Sequence, residues 1–362
     1  MKILITDLWP KEAHRSLNTM LITSLARYAD VTVISINDYY KKNDTLFKKL
    51  NISCVDVYAN EKTGRIGTRV YCLQLQKITN KIIKNSIFDC AICMSYETTC
   101  LPLSAGVYSR IPTILCEHSN LDDLQKKVKR FIAKKLIKTC YHLVFEKEFK
   151  NWMVNELSVQ EQKVFVVAHP ITLEHDDCES SDRYDCVGLC NANDDLFIQE
   201  IITCCETNHL SNLKMAFRSK KLVSKNDNIN IISSFLDRDE YRSYYRDTKC
   251  VFVATPSNYQ NRLSASIYDA ISYNKIAYTT NRTLSKLYSN QYPGICVYVS
   301  SGKELIDILT NGKENTENLD EMFDKFKEDH SAKSFDCQVK KMLNVFSEIL
   351  FGKETTNESI SN

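Results

Sequence analysis

The sequence predicts an α/β protein made of two doubly wound domains, each with a parallel sheet. Three observations support this prediction. Short apolar runs alternate with segments of helical period along the chain, which is typical of parallel sheets. The alternation starts again near residue 183. The length of 362 residues is long for one domain and suits two.

The N-terminal domain is predicted to span residues 1–172. Strands are expected where apolar residues run together, and helices where apolar residues recur every three or four positions. The predicted strands are 2–6, 31–36, 54–58, 88–95, 112–118, 142–146 and 163–170, and the predicted helices are 16–28 and 67–85.

The C-terminal domain is predicted to span residues 173–351, and its polar start, 173–183, is the best linker candidate. The predicted strands are 183–190, 213–219, 228–234, 249–256, 275–280 and 295–300, and the predicted helices are 195–206, 264–273, 302–311 and 335–351. The last helix, 335–351, is a candidate to pack back on the N-terminal domain. The polar tail, 352–362, is expected to be disordered.

Composition and charge indicate where the protein works. No run approaches 18 uncharged apolar residues, and the first ten residues do not resemble a signal peptide, so a cytoplasmic protein without a membrane span is expected. Residues 1–170 hold 25 Lys and Arg against 16 Asp and Glu, whereas residues 171–362 hold 22 against 29. A basic half joined to an acidic half indicates that one half faces something anionic.

A basic amphipathic helix is predicted over residues 124–139. Its apolar stripe is Leu124, Val128, Phe131, Ile132 and Leu136, and its basic side is Lys126, Lys127, Arg130, Lys134 and Lys138. The stripe either faces the core, with solvated lysines, or the helix contacts anionic lipids at the inner membrane face. Nucleic acid is not expected as a partner, because no nucleic-acid motif accompanies the lysines.

The segment 241–280 carries the most chemical information. A polar loop, Ser257–Arg262, leads into a helix whose first turn holds Ser264 and Ser266. The unpaired N–H groups at a helix start suit a phosphate, and Arg262 can add donors for a diphosphate. Asp269 lies about one turn further on, where a carboxylate can accept two ribose hydroxyls. An ordinary capped helix is the alternative interpretation.

This segment resembles the donor-binding segment of glycosyltransferase family 4, also called glycosyl transferases group 1. The residues that carry the resemblance are Asp269–Ala277 and the pattern Tyr-x-x-Arg-x-Ser-x-x-x-Tyr-Asp-Ala at Tyr259–Ala270, which is similar to bacterial polysaccharide enzymes. The resemblance implies a GT-B fold, in which two Rossmann-like domains face each other across a cleft. Asp269 takes the place of the family's ribose-binding glutamate. Asn261 stands where the family has the glutamate that contacts the transferred sugar.

The expected site residues follow from this resemblance and from the loops after strands. The donor-binding candidates are Arg218, Lys220, Tyr259, Asn261, Arg262, Leu263, Ser264, Ala265, Ser266 and Asp269. The candidates near the sugar or the acceptor are His14, Ser16, Asn18, Glu97 and His118. His118 and Asp269 are the expected catalytic residues, although a structural role for His118 and a solvated loop at 218–221 remain alternatives.

The resemblance implies a hexosyltransferase that moves a sugar from a nucleoside diphosphate-sugar to a glycan or lipid-linked acceptor. It further implies retention of configuration, no metal or other cofactor, and a place in surface polysaccharide biosynthesis. Asp237 and Asp239 have metal-site spacing, but they more simply cap a helix. Two alternatives stay open: a catalytically degenerate GT-B scaffold or binding subunit, and a GT-B sugar-nucleotide epimerase.

Overall fold

The computed structural model describes residues 1–9, 14–62, 64–84, 86–104, 108, 111–172, 180–256, 258–312 and 318–352. Most of the predicted linker (173–179) and of the predicted disordered tail (353–362) lies outside the described residues. The chain forms two compact units. The first unit is Met1–Pro170 with Ala332–Asn362, and the second is Ile171–Ser331.

The first unit is built on a sheet of seven strands within the described ranges. The strands are β1 (Lys2–Asp7), β2 (Asp30–Ile36), β3 (Ser53–Val57), β4 (Cys90–Ser95), β5 (Thr113–Cys116), β6 (Tyr141–Val144) and β7 (Val164–Val166). The helices are α1 (Arg15–Ala26), α2 (Asp44–Lys49), α3 (Gly64–Ile83), α4 (Cys100–Leu103), α5 (Asn120–Leu124), α6 (Lys127–Thr139) and α7 (Lys147–Leu157). The strand order is β3-β2-β1-β4-β5-β6-β7.

The second unit has a six-stranded sheet in the part of the chain that is described. Its strands are β8 (Tyr184–Gly188), β9 (Met215–Arg218), β10 (Ile229–Ile232), β11 (Thr248–Val253), β12 (Ile276–Thr279) and β13 (Cys296–Tyr298). Its helices are α8 (Asp195–Thr207), α9 (Arg238–Arg246), α10 (Ala265–Ser272), α11 (Arg282–Ser289), α12 (Gly302–Asn311) and α13 (Leu319–Asp329), and α14 (Ala332–Phe351) returns to the first unit. The strand order is β10-β9-β8-β11-β12-β13.

Both sheets have a point where the strand order reverses. The reversal lies between β1 and β4 in the first sheet and between β8 and β11 in the second, and all of these pairs are parallel. The predicted α/β architecture with parallel sheets is therefore confirmed. Ligands of such sheets bind outside the carboxyl ends of the strands at the reversal, so a binding site is expected at these two points.

Helix α14 is attached to the first unit by polar and aromatic contacts. Asp336 accepts hydrogen bonds from Ser24 Oγ at 2.6 Å and from Tyr28 Oη at 2.5 Å. Phe346 packs edge-on against Tyr141, with 4.9 Å between the ring centroids. These contacts tie the end of the chain to α1 and β6, although about 160 residues of the second unit intervene.

The basic segment 124–139 differs from its prediction in two ways. It forms two helices, because Lys126 between α5 and α6 has an extended backbone. Its apolar residues do not share one face: Leu124 and Leu136 are buried, whereas Val128 is 72% and Phe131 79% exposed. The side of α6 that carries Ala133 and Ile137 packs against the core. The positions of the apolar residues in the sequence do not predict which side this is.

A close approach explains one glycine at the second reversal point. A Cβ at Gly188, the last residue of β8, would lie 2.9 Å from both the Phe217 ring and the Phe252 carbonyl oxygen. Only glycine fits between these neighbours.

None of the helices in the described ranges has both the length and the apolar composition that a membrane-spanning helix requires.

Candidate functional site

The start of α10 lies at the reversal point of the second sheet. After β11 ends at Val253, Ser264 occupies the N-cap of α10 with an extended backbone. Ser264 makes no capping hydrogen bond, and its buried Oγ has no hydrogen-bonding partner among the described residues. The first N–H groups of α10 are thus not capped by a side chain and retain the partial positive charge of a helix start.

Two further buried polar atoms lie unsatisfied at the same edge. They are Asn193 Oδ1 after β8 and Thr255 Oγ1 after β11, counted among the described residues. The side-chain nitrogen of Asn193, Nδ2, donates to the carbonyl oxygen of Gly188 at 2.8 Å and to that of Arg218 at 3.2 Å. Buried polar groups are normally bonded, so this edge of the sheet is built to receive a polar ligand or water.

Arg218, the last residue of β9, is a buried cation that finds no acceptor among the described residues. It is 7% exposed, and its Cζ lies 3.9 Å from the centroid of the Phe235 ring. No carboxylate or carbonyl of the described residues accepts a hydrogen bond from its guanidinium. Burial lowers the pKa of Arg218 from its ordinary value, but arginine remains protonated in proteins. Within the described ranges, therefore, no carboxylate neutralises the charge of Arg218.

Cys190 connects Arg218 to the start of α10. Burial raises the pKa of the Cys190 thiol, while the Ala192 backbone, the Ser266 hydroxyl and the charge of Arg218 oppose the rise. The neighbouring Asn193 donates to the Arg218 carbonyl at the end of β9, and the Asp194 N–H donates to the Ala254 carbonyl after β11 at 2.6 Å, so the segment after β8 lies against the ends of both strands.

Asp269 lies on α10 and is buried beside two tyrosines of α9. Tyr241 Oη donates to Asp269 Oδ2 at 2.8 Å, and Tyr245 Oη lies 2.9 Å from Tyr241 Oη. Burial raises the pKa of Asp269 to about 7, although the Tyr241 hydrogen bond opposes the rise. Sequence reasoning missed both tyrosines, but their spacing of four residues on one helix face was the available signal.

The loop before α10 is held by its own side chains. Arg262 Cζ lies 3.8 Å above the Tyr259 ring, and the Asn281 amide donates to the Tyr259 carbonyl. Asn281 also caps α11 through the N–H groups of Thr283 and Leu284. The remaining predicted donor residues of this loop divide into the buried Asn261, the half-buried Leu263 and the exposed Ala265.

One predicted residue stays apart from this group. Lys220 lies two positions after Arg218, yet it is exposed, as is its neighbour Lys221. Ser219 turns the chain there, since its Oγ accepts from the Lys221 N–H at 3.1 Å. Arg218 alone of this basic segment points into the buried edge.

Asp237 caps α9 by accepting from the N–H groups of Asp239 and Glu240, which confirms the predicted cap.

A small cavity lies at the reversal point of the first sheet. Its volume is about 80 Å³, and the loops after β1, β4 and β5 contribute Trp9, His14, Glu97 and His118 to its walls. The His14 and His118 rings are stacked, with centroids 4.5 Å apart. Three of the predicted sugar-proximal residues are thus brought together here.

Glu97 has a partly structural role. Its Oε2 accepts from the Thr99 N–H at 2.8 Å, the Thr99 hydroxyl at 2.6 Å and the Cys100 N–H at 2.7 Å, at the start of α4. Burial raises its pKa, but these hydrogen bonds outweigh burial and lower it overall. Glu97 is therefore ionised near neutral pH, and it lines the cavity.

A buried chain of polar groups supports the same cavity. Tyr96, a wall residue, has its hydroxyl 2.9 Å from both carboxylate oxygens of Glu117. Glu117 Oε1 lies 2.8 Å from His142 Nδ1, and His142 Nε2 lies 2.8 Å from the Ile137 carbonyl oxygen. Since a carbonyl only accepts, Nε2 carries a proton. The sequence did not indicate this hydrogen-bonded network, because Tyr96, Glu117 and His142 are far apart in the sequence.

Asn18 and Ser16 differ from the expectation that they face a ligand. Asn18 is fully buried, and its amide donates to Asp7 Oδ2 at 2.9 Å, which also accepts from Tyr40 Oη at 2.6 Å. Burial raises the pKa of Asp7 despite these hydrogen bonds. Ser16 is exposed on α1 and does not line the cavity. Asn18 thus serves the interior of the unit.

Solved structures share this fold along nearly the whole chain. Anabaena Alr3699/HepE in complex with UDP matches with a TM-score of 0.66 and 13% identity over 95% of this chain and 100% of that chain. Arabidopsis thaliana UGT89C1 complexed with UDP-L-rhamnose matches with 0.64 and 12% over 94% and 98%. Neisseria meningitidis UDP-GlcNAc 2-epimerase bound to UDP-GlcNAc matches with 0.58 and 12% over 96% and 100%.

No protein-family model and no curated protein matches the sequence. At identities of 12–13% the structural similarity shows the fold alone. It confirms the predicted GT-B architecture of two Rossmann-like domains.

Proposed function

We propose that this protein is an enzyme acting on a nucleoside diphosphate-sugar, whose diphosphate binds at the reversal point of the second sheet. The observation that carries the proposal is the buried Arg218, which has no counter-ion among the described residues. A buried charge without a partner is costly. An anionic ligand would supply the missing partner.

The surroundings of Arg218 suit a diphosphate. A guanidinium offers a fork of N–H donors that matches phosphate oxygens. The start of α10, where Ser264 leaves the N–H groups uncapped, adds backbone donors and partial positive charge. The strand order β9-β8-β11 brings the arginine at the end of β9 and the helix start after β11 to the same edge of the sheet.

Asp269 suits the ribose of the same ligand. Its Oδ2 is occupied by Tyr241, whereas Oδ1 has no hydrogen bond from the described residues. A carboxylate held in this way can accept from neighbouring ribose hydroxyls, and its place on α10 is one turn beyond the diphosphate position. The UDP, UDP-GlcNAc and UDP-L-rhamnose bound in the similar structures support this class of ligand.

Epimerisation of the nucleotide-sugar is the first candidate reaction. It is supported by the match to a UDP-GlcNAc 2-epimerase over 96% of the chain. It also agrees with Asn261, which replaces the glutamate that contacts the transferred sugar in the resembled transferases. Transfer of a hexose to a glycan or lipid-linked acceptor is the second candidate, and the Tyr259–Ala270 resemblance favours it.

A binding experiment tests the shared part of the proposal. Titration calorimetry with UDP, GDP, ADP, CMP and UDP-GlcNAc should identify one nucleotide that binds. Arg218→Gln should weaken its binding by about 10–100-fold, since hydrogen bonds to charged groups contribute about 1.5–3 kcal/mol. The matched control is Arg238→Gln, because Arg238 is exposed on α9. Absence of binding, or equal affinity of all three proteins, would refute the proposal.

Product analysis in heavy water separates the reactions. Epimerisation by proton removal and return leaves deuterium at the inverted carbon, which proton NMR detects without any acceptor. Transfer or hydrolysis releases the nucleoside diphosphate and leaves the carbon–hydrogen bonds of the sugar intact. Binding without either reaction would indicate a non-catalytic binding subunit.

A further inference from the structure

The exposed side of α6 combines cations with apolar side chains. We call this side the α6 face; it consists of Lys127, Val128, Phe131, Lys134, Lys135 and Lys138, all of which are exposed. Phe131 is 79% and Val128 72% exposed. At 100° per residue, Phe131 lies near the centre of this face, with lysines on both sides.

The lysines of the α6 face are not neutralised. Helix α6 contains six basic residues and no acidic one. Two of the six serve the protein itself: Lys129 pairs with Asp123 at 2.6 Å, and Arg130 Nε donates to the Leu124 carbonyl at 2.8 Å. The four lysines of the face form no ion pair within the described ranges. Their charges are therefore available to an external anion.

Apolar surface continues beside the α6 face. A groove of about 350 Å³ between α6 and the end of α7 has Phe131 and Leu157 in its walls. On the other side of α6, a groove of about 840 Å³ is bordered by Lys135 and by Leu103, which is 70% exposed. Large apolar side chains that stay exposed together mark a surface that meets an apolar phase or partner.

We propose that the α6 face docks the protein on an anionic lipid bilayer. Phe131 and Val128 enter the boundary between headgroups and acyl chains, and the four lysines contact the anionic headgroups. Helices that lie in a membrane surface combine a basic side with embedded Phe or Leu in this way. A nucleic-acid backbone would bind the lysines but would offer no apolar environment for the exposed Val128. The proposal does not depend on the nucleotide-sugar site, which lies in the other unit.

Sedimentation with vesicles tests the proposal. The full chain should bind vesicles of phosphatidylglycerol and phosphatidylcholine but not vesicles of phosphatidylcholine alone. Changing the four lysines of the face to Gln should weaken binding by more than about a hundredfold, since each basic residue contributes about 1 kcal/mol. Phe131→Ser with Val128→Ser should weaken it by more than about a hundredfold at unchanged charge, since each buried side chain of this kind contributes about 1.5–3 kcal/mol.

The matched control removes four exposed charges elsewhere in the first unit. It changes Lys41, Lys42, Lys48 and Lys49 to Gln and should alter vesicle affinity by less than about threefold, because charges away from the contact are screened. Titration calorimetry with the nucleotide should give the same affinity for all variants, which separates this proposal from the proposed function. Unfolding midpoints should also agree, because the changed side chains are exposed.

Three results would overturn the proposal. One is vesicle binding that the face variants and the control reduce equally. Another is tight binding of a synthetic RNA duplex that depends on the face lysines, without vesicle binding. The third is a wild-type dimer that the Phe131→Ser and Val128→Ser changes dissociate, without vesicle binding, because the face would then contact a second copy.

Discussion

The raised pKa of Asp269 predicts that nucleotide-sugar binding strengthens as the pH rises through neutrality. Burial moves this pKa from an ordinary value of 3.8 to about 7. A carboxylate accepts two ribose hydroxyls only when it is ionised, so the protonated protein is not competent to bind. The apparent dissociation constant equals the intrinsic constant divided by the competent fraction.

The size of the effect follows from this pKa. About one-tenth of Asp269 is ionised one pH unit below its pKa and about nine-tenths one unit above. The affinity should therefore increase about tenfold between pH 6 and pH 8 and then level off. Binding near pH 7 should release a fraction of a proton, because ribose hydroxyls stabilise the charged form.

Calorimetry with UDP-GlcNAc measures both the affinity and the number of protons released. The ligand itself does not titrate here, because the diphosphate of a nucleotide-sugar carries no proton in this pH range. Asp269→Asn should bind weakly at all pH values and lose the pH dependence. Tyr241→Phe removes the hydrogen bond that lowers the pKa, so its binding curve should move to higher pH. The control is Tyr244→Phe on the same helix, since the Tyr244 hydroxyl meets Asn230 instead.

Two results would refute this reasoning. A constant affinity from pH 6 to pH 9 would show that the charge of Asp269 does not matter to the ligand. A retained pH dependence in Asp269→Asn would assign the titration to another group.

Three further predictions concern stability and follow from single contacts. His142→Leu removes one of the two side chains that bond the buried Glu117 and leaves Tyr96 as the other, so the free energy of unfolding should fall by about 1–3 kcal/mol; a loss below about 0.5 kcal/mol in urea denaturation would contradict this role. Gly302→Ala places a Cβ 2.5 Å from the Phe197 carbonyl oxygen, so the free energy of unfolding should fall by about 1–3 kcal/mol and the melting temperature with it. An unchanged melting temperature would show that α12 can shift to make room for the methyl group. Asp194→Ala removes the hydrogen bond that caps α8 and should cost about 1 kcal/mol in the same assay, whereas Asp194→Asn should cost little.

Much of the fold was accessible from the sequence. The apolar runs at β1, β4, β8 and β11 and the helical periods between them predict the parallel sheets, because these patterns are local and repeat. The strand-loop-helix order around Ser264 and Asp269 likewise places these residues at the carboxyl edge of the second sheet. The cap by Asp237 was also predictable, since it needs only residues that follow it directly.

The partners of these residues were decided by the tertiary structure. The sequence does not reveal that Arg218 lies over Phe235, that Tyr241 reaches Asp269, or that Glu117 meets His142, because each contact joins segments that only folding brings together. The exposure of Phe131 also depended on which side of α6 the core occupies. Local periodicity determines the elements, whereas burial and charge balance arise from long-range packing, and those two properties define what the site can bind.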